Sequence, residues 1–332
     1  MKRHLLAGLG LGLGLLLSLS SVAAEGAPPK MAVRSLAREF VAFWDGSQGM
    51  PDAERIAAFK AQIGSQFPEF YGIGRYAGTR TQAQQDELIR GNLATFGKMR
   101  QAYLDKVARF DADLPRHIAS FTAAFPDFQP TVSTYFIHSL GEMDGGTREL
   151  NGRSYLIFGA DGMVRYHGAG DEAAFFHHEL FHIHHAAQAK DCNDDKLADR
   201  LWTEGLATYV SKVLNPQASE QELLLDLPKG SAHLVKGKIY ASLAQLEQVL
   251  DSDDRQQLTN LFLMDGRSEG GLPPRRGYML GYLIAQELGN SRSPAQLAKL
   301  SCAEARPLMG AAIQTLKARA RSQPVNAQLH MP

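Results

Sequence analysis

His178-Glu179-Leu180-Phe181-His182 sets two imidazoles four residues apart, with a carboxylate beside the first. On a helix with 3.6 residues per turn, positions i and i+4 share a face, so both rings can bind one Zn²⁺. Glu179 stands about 100° further round, where it reaches a zinc-bound water without joining the ligands. The ion lowers the pKa of that water to about 7, and the carboxylate takes its proton as the water attacks a carbonyl carbon. The chemistry this spacing points to is hydrolysis.

Five of the eleven histidines fall between positions 177 and 185, so a chance match is the competing reading of so short a motif. Two features stand against chance. The flanks, Gly170-Asp171-Glu172-Ala173-Ala174 and Ala186-Ala187-Gln188-Ala189, combine helix formers with acids in the first turn. A third ligand is also available downstream, Glu204 in Leu201-Trp202-Thr203-Glu204-Gly205-Leu206-Ala207-Thr208-Tyr209-Val210. A helix–turn–helix of that span returns a carboxylate to the open side of the imidazole pair and leaves the fourth position to water. Gly205 is expected to let those two helices approach closely. His185 competes for the third place, about 20° round from His178 on the same face, but it would bind from the next turn and strain a tetrahedral site. His177 and His184 face elsewhere and read as packing or solvent histidines.

The elements that must position these groups follow from periodicity. Residues 31–63 read as helix in two pieces, 66–81 as loop, 82–107 as a long amphipathic helix, and 114–125 as another that stops before Pro126. Runs at 131–137 and 154–158 are β-branched and aromatic, and read as strands separated by glycine turns. Helices are then expected at 171–189, 195–214, 231–250, 253–264, 277–289, 294–300 and 303–320. The fold class is α+β, mainly α, with a small sheet beside the motif helix.

Residues 1–24 read as a signal peptide: Lys2-Arg3-His4, an apolar run from Leu5 to Leu19, and Val22-Ala23-Ala24 as cleavage site. An uncleaved anchor is the alternative, but the run is short and Gly-rich. Export to the periplasm or beyond follows, with no stable membrane insertion once the leader is removed. Residues 25–110 are expected to form an N-terminal helical region, 111–321 the catalytic domain, and 322–332 a loose tail. The 35 basic residues balance 35 acidic ones, which argues against a nucleic acid as partner. Cys192 and Cys302, an even pair in an exported chain, read as a disulfide or as two buried thiols. Asp191-x-Asn193-x-Asp195 begins like a calcium loop, but Lys196 replaces its glycine, so a helix cap is the reading preferred.

The two motifs together resemble the gluzincin clan of zinc metallopeptidases. The second is similar to the W-x-x-E-G-x-A-x-Y signature of the aminopeptidase N-like family, with Trp202 one position nearer the glutamate. Tyr135-Phe136-Ile137, Gly145-Gly146-Thr147, Tyr155-Leu156-Ile157-Phe158-Gly159 and Arg275-Arg276-Gly277-Tyr278-Met279-Leu280-Gly281-Tyr282 also resemble a bacterial family of predicted zinc-dependent proteases. The resemblance covers roughly residues 110–320 and implies a zincin-like fold and one Zn²⁺ per chain. It makes His178, His182 and Glu204 the ligands, Glu179 the general base, and a peptide or protein the substrate. Tyr278, in Tyr278-x-x-Gly281, matches the tyrosine that donates to the oxyanion; Tyr282 could share a plain core stripe with it. Arg276 either holds a substrate carboxylate or solvates a helix start. The strand at 154–158 is expected to be the edge on which an extended substrate pairs. The G-x-M-E-N exopeptidase loop is not found, Gly162-Met163 being followed by Val164-Arg165. Two other readings remain open: a periplasmic metal-binding protein without catalysis, and a zincin fold used as an interaction module.

Overall fold

The computed structural model describes residues 31–193 and 195–322. The expected signal peptide, the Pro-rich start and the residues beyond Ser322 lie outside the described residues. The chain runs β1 (Val33–Ser35), α1 (Ala37–Gly46), α2 (Asp52–Gln62), α3 (Pro68–Tyr71), α4 (Gln82–Thr95), α5 (Arg100–Ala124), β2 (Ser133–Ile137), β3 (Gly145–Leu150) and β4 (Arg153–Gly159). Among the described residues helices follow without further strands: α6 (Ala160–His167), α7 (Ala173–Gln188), α8 (Leu197–Leu214), α9 (Ser231–Gly237) and α10 (Ile239–Val249). The last are α11 (Arg255–Phe262), α12 (Arg276–Gly289), α13 (Pro294–Leu297) and α14 (Cys302–Ser322). This is an α+β chain, mainly α. No described helix is long and apolar enough to cross a membrane.

The sheet has the order β1-β2-β4-β3. β2 and β4 are parallel, with Phe136 opposite Phe158, and β3 returns antiparallel to β4 with Gly145 opposite Phe158. Alternation sends Phe136 and Phe158 to one face and Tyr135 and Tyr155 to the other. Phe110 of α5 stacks on Phe136 at 3.8 Å, and Phe176 of α7 lies 5.4 Å from Phe158. Phe67 covers the opposite face, stacked on Tyr135 at 3.8 Å. The helix carrying the H-E-x-x-H motif is thereby fixed to the sheet two residues before His178.

Several boundaries differ from the sequence reading. β1 was expected to be helical; its three residues extend because β2 offers a parallel partner about a hundred positions away. β3 was expected to be turns; Asn151-Gly152, with φ of 51° and 72°, forms the two-residue turn that closes the β3–β4 hairpin. The break in the long N-terminal helix comes at Phe96-Gly97-Lys98, where the Trp44 indole donates to the freed Leu93 carbonyl at 2.9 Å. The helix then runs on through Pro115, which sits on the exposed side of α5 where the unmade bond meets solvent. The expected domain boundary at residue 110 falls inside α5, and one cluster of buried residues draws on both sides of it.

Gly205 does allow a close approach, but of α12 rather than α7. A Cβ at 205 would lie 2.3 Å from the Gly281 carbonyl carbon and 2.5 Å from its Cα. Both obstacles are backbone, so nothing can rotate aside. Gly205→Ala is expected to cost about 3 kcal/mol in urea unfolding; an unchanged midpoint would contradict the packing described.

Candidate metal centre

α7 and α8 run antiparallel, with Ser211 Oγ donating to the Ala174 carbonyl at 2.9 Å. That alignment lays Glu204, on the second turn of α8, against the face of α7 that carries His178 and His182. Glu204 Oε2 lies 3.3 Å from His178 Nε2 and 3.4 Å from His182 Nε2. The two ring nitrogens are 2.9 Å apart. Among the described residues this is the one group of three such side chains able to hold a metal ion, its ligand atoms all within 4.8 Å of one another.

The residues fit an ion. Bonds of about 2.0–2.1 Å at tetrahedral angles require ligand atoms roughly 3.4 Å apart, close to the spacings found. Two imidazoles and one carboxylate are a donor set suited to zinc and similar divalent ions. Exposure of 17%, 20% and 18% for the three side chains leaves the group open to the cleft, so a further position can be filled from solvent. Burial lowers the pKa of His178, which favours the neutral ligand form. Burial pushes the Glu204 carboxyl up, but the two imidazoles outweigh it and hold it well below the usual carboxylate range.

Glu179 faces the start of β3 and is buried, with Oε2 lacking any hydrogen-bond partner. Burial pushes its carboxyl up to about 8, with Asp144 and Glu204 adding to the effect and His182 opposing it. A buried acid with no partner beside three candidate ligands is a functional candidate on physical grounds. Gly145 makes the position possible, since a Cβ there would meet Phe175 at 2.6 Å and the Glu179 carboxyl at 3.2 Å.

These groups open into one cleft of about 1280 Å³ between the hairpin, α7, α8 and the start of α12. Tyr278 lines it, its phenol pKa raised by burial and by Glu204. Tyr282 does not line the cleft; it is buried one turn on and accepts from Gln286. Arg276 takes neither expected role. It is buried and paired with Glu269 at 2.8 Å, and it also donates to Gln245 and two carbonyls. The strand at 154–158 is not the edge that was expected: β4 is paired on both sides, and the edge strand that lines the cleft is β3.

The other histidines are occupied elsewhere. His184 packs 4.7 Å from Phe125. His185 is buried and stacks on Phe181, with its Nε2 unpartnered, outside the three-residue group. His177 accepts from Asn215 Nδ2 and bonds Ser120 Oγ, both at 2.8 Å. Burial, with repulsion from His117, lowers its pKa to about 4. The folded chain therefore refuses a proton that the unfolded chain accepts below about 6.5. Stability from this residue is complete above that value and is lost as pH falls toward 4, to the extent of about 3 kcal/mol. In metal-free protein, His177→Gln is expected to flatten the fall in urea midpoint between pH 7 and 4.5; an unaltered slope would oppose this.

The segment between α7 and α8 is anchored from outside at Asp191 and Cys192. Cys192 and Cys302 form a disulfide. Both Asp191 oxygens accept at 3.0 Å from Cys302 N and Ala303 N, capping α14. Asp191 is thus a cap, though of a distant helix rather than α8. Sequence reasoning missed three cleft residues. Arg200 precedes Glu204 by four, a same-face spacing that would have revealed it. Asp144, held by His167 Nε2 at 2.8 Å, and Arg148 come to the cleft through a hairpin no local pattern announced. No family model, curated protein or solved structure matches the chain, so the site is read from its own geometry.

Proposed function

We propose that the chain is an exported zinc metallopeptidase of gluzincin type, with one Zn²⁺ held by His178, His182 and Glu204. The observation that carries this reading is the convergence of those three ligands, Glu179 and Tyr278 on one open cleft. A bound zinc ion supplies Lewis acidity, polarising a carbonyl and acidifying a water. The remaining work belongs to side chains. Glu179 accepts the proton of the attacking water and returns it to the leaving amine nitrogen as the peptide bond breaks. Tyr278, kept protonated by its surroundings, donates its O–H to the oxygen on which negative charge develops. The free edge of β3, residues 145–149, offers backbone donors and acceptors to an extended peptide.

The test is digestion of a broad peptide library by the purified chain, with and without a zinc chelator. Cleavage is expected without chelator, none with it, and recovery on adding Zn²⁺. A library left intact under every condition would overturn the proposal. One tightly bound zinc per chain is expected in the same preparation, whereas a metal-storage protein would take up several ions weakly.

A further inference from the structure

Three arginines line the cleft, and they differ in what they already bind. Arg275 donates to the Leu224 and Leu227 carbonyls at 3.0 and 3.2 Å and lies over the Tyr278 ring at 4.3 Å. Arg148 is exposed and donates to the Thr147 carbonyl. Arg200 is half-buried, its Nε is shut off from water with no hydrogen-bond partner, and no ion pair is formed by it among the described residues. A buried guanidinium N–H left unpaired costs free energy and calls for an acceptor that completes it.

Its position indicates which acceptor. Arg200 and Glu204 stand four apart on α8, on one face and about 6 Å apart along the axis. Glu204 directs Oε2 to the two imidazoles and not to Arg200. The guanidinium lies 5.8 Å from the Phe262 ring, which in turn is 5.7 Å from Tyr278. The unpaired fork is therefore one helical turn from the metal ligands, on the wall shared with Tyr278. A planar guanidinium matches a carboxylate better than any other common group, and the partly buried setting strengthens the contact.

We infer that Arg200 is a carboxylate subsite, and that the substrate is a peptide bearing an acidic group next to the bond that is cut. The substrate class rests on the peptidase reading; the anion contact is read by binding alone. The carboxylate can be the C-terminus of a short peptide or an Asp or Glu side chain.

The experiment uses zinc-loaded Glu179→Gln protein, which binds without turning over, and measures peptide affinities by calorimetry. Ala-Phe-Leu as free acid is compared with its C-terminal amide, and Ala-Glu-Leu amide with Ala-Gln-Leu amide. At least one pair is expected to favour the charged member tenfold or more, and which pair does so identifies the source. Adding Arg200→Gln is expected to abolish the preference, with zinc content and melting temperature unchanged. If Arg200→Gln does not fold, Arg200→Lys takes its place, and a threefold or greater fall is expected because the planar fork is lost. Equal affinities within both pairs, or a preference that survives the Arg200 variant, would overturn the assignment. Library cleavage without carboxylate preference would defeat this inference alone; carboxylate preference without any cleavage would defeat the peptidase reading alone.

Discussion

Glu179→Gln is expected to lower kcat on a cleaved peptide by roughly 10²- to 10⁴-fold while the chain keeps its metal. The amide matches the carboxylate in size, so the fit beside Gly145 is retained. It cannot take a proton from water or return one to an amine. Stability should not suffer, because the residue replaced is a buried acid whose Oε2 has no partner and whose pKa burial has pushed up to about 8. A neutral amide removes the cost of that charge. Side-chain placement also protects the ligands: Glu179 lies outside the group formed by His178, His182 and Glu204. The measurement is kcat on a peptide found in the library digest, together with zinc per chain and melting temperature. Activity within tenfold of the parent would remove Glu179 from the mechanism. Loss of activity together with loss of zinc would make it a ligand or a structural support.

The residues of the candidate metal centre were the most legible in the sequence, because helix geometry fixes the histidine pair. Two histidines at i and i+4 must share a face, and the structure brings Glu204 to them because α7 and α8 pack antiparallel through Ser211 and Ala174. Long periodic helices were legible for the same reason. What failed was whatever depends on partners distant in sequence. Val33–Ser35 extends only because β2 lies beside it, and nothing in three residues announces that. Gly145–Leu150 is glycine-rich and charged, a composition that suits an edge strand and argues against a strand when read locally. Gly152 was legible as a turn, but Asn151-Gly152 as the turn of a hairpin was not, because the flanking segment lacks alternation. The role of Gly205 was half legible: a close approach was foreseen, but the helix it meets is set by tertiary packing with Gly281. Arg276 shows the converse error. A cation at a helix start reads as a surface group, yet here it is buried and tied to Glu269, while the arginine left unpaired in the cleft is Arg200.

Glu204→Ala is expected to weaken metal binding on the order of 10³-fold. The carboxylate is the one anionic donor, and its Oε2 lies within 3.4 Å of both ring nitrogens. A four-ligand zinc site holds its ion with an apparent 10–16 kcal/mol, so removing one donor costs about 4 kcal/mol, which corresponds to that factor. The competing third ligand is His185, and its environment argues against rescue. Its ring is buried against Phe181, and burial lowers its pKa to about 3. Neutral imidazole is the ligand form, but reaching the centre would require leaving that stack. Competition titration with a zinc indicator should therefore find Glu204→Ala and the double variant Glu204→Ala/His185→Ala equally weak. Tight zinc in the single variant that disappears in the double one would place His185 in the coordination sphere and remove the carboxylate from it. A parental affinity in both would mean that Glu204 is only a neighbour of the imidazole pair, and the geometry on which the metal centre rests would no longer support a three-ligand site.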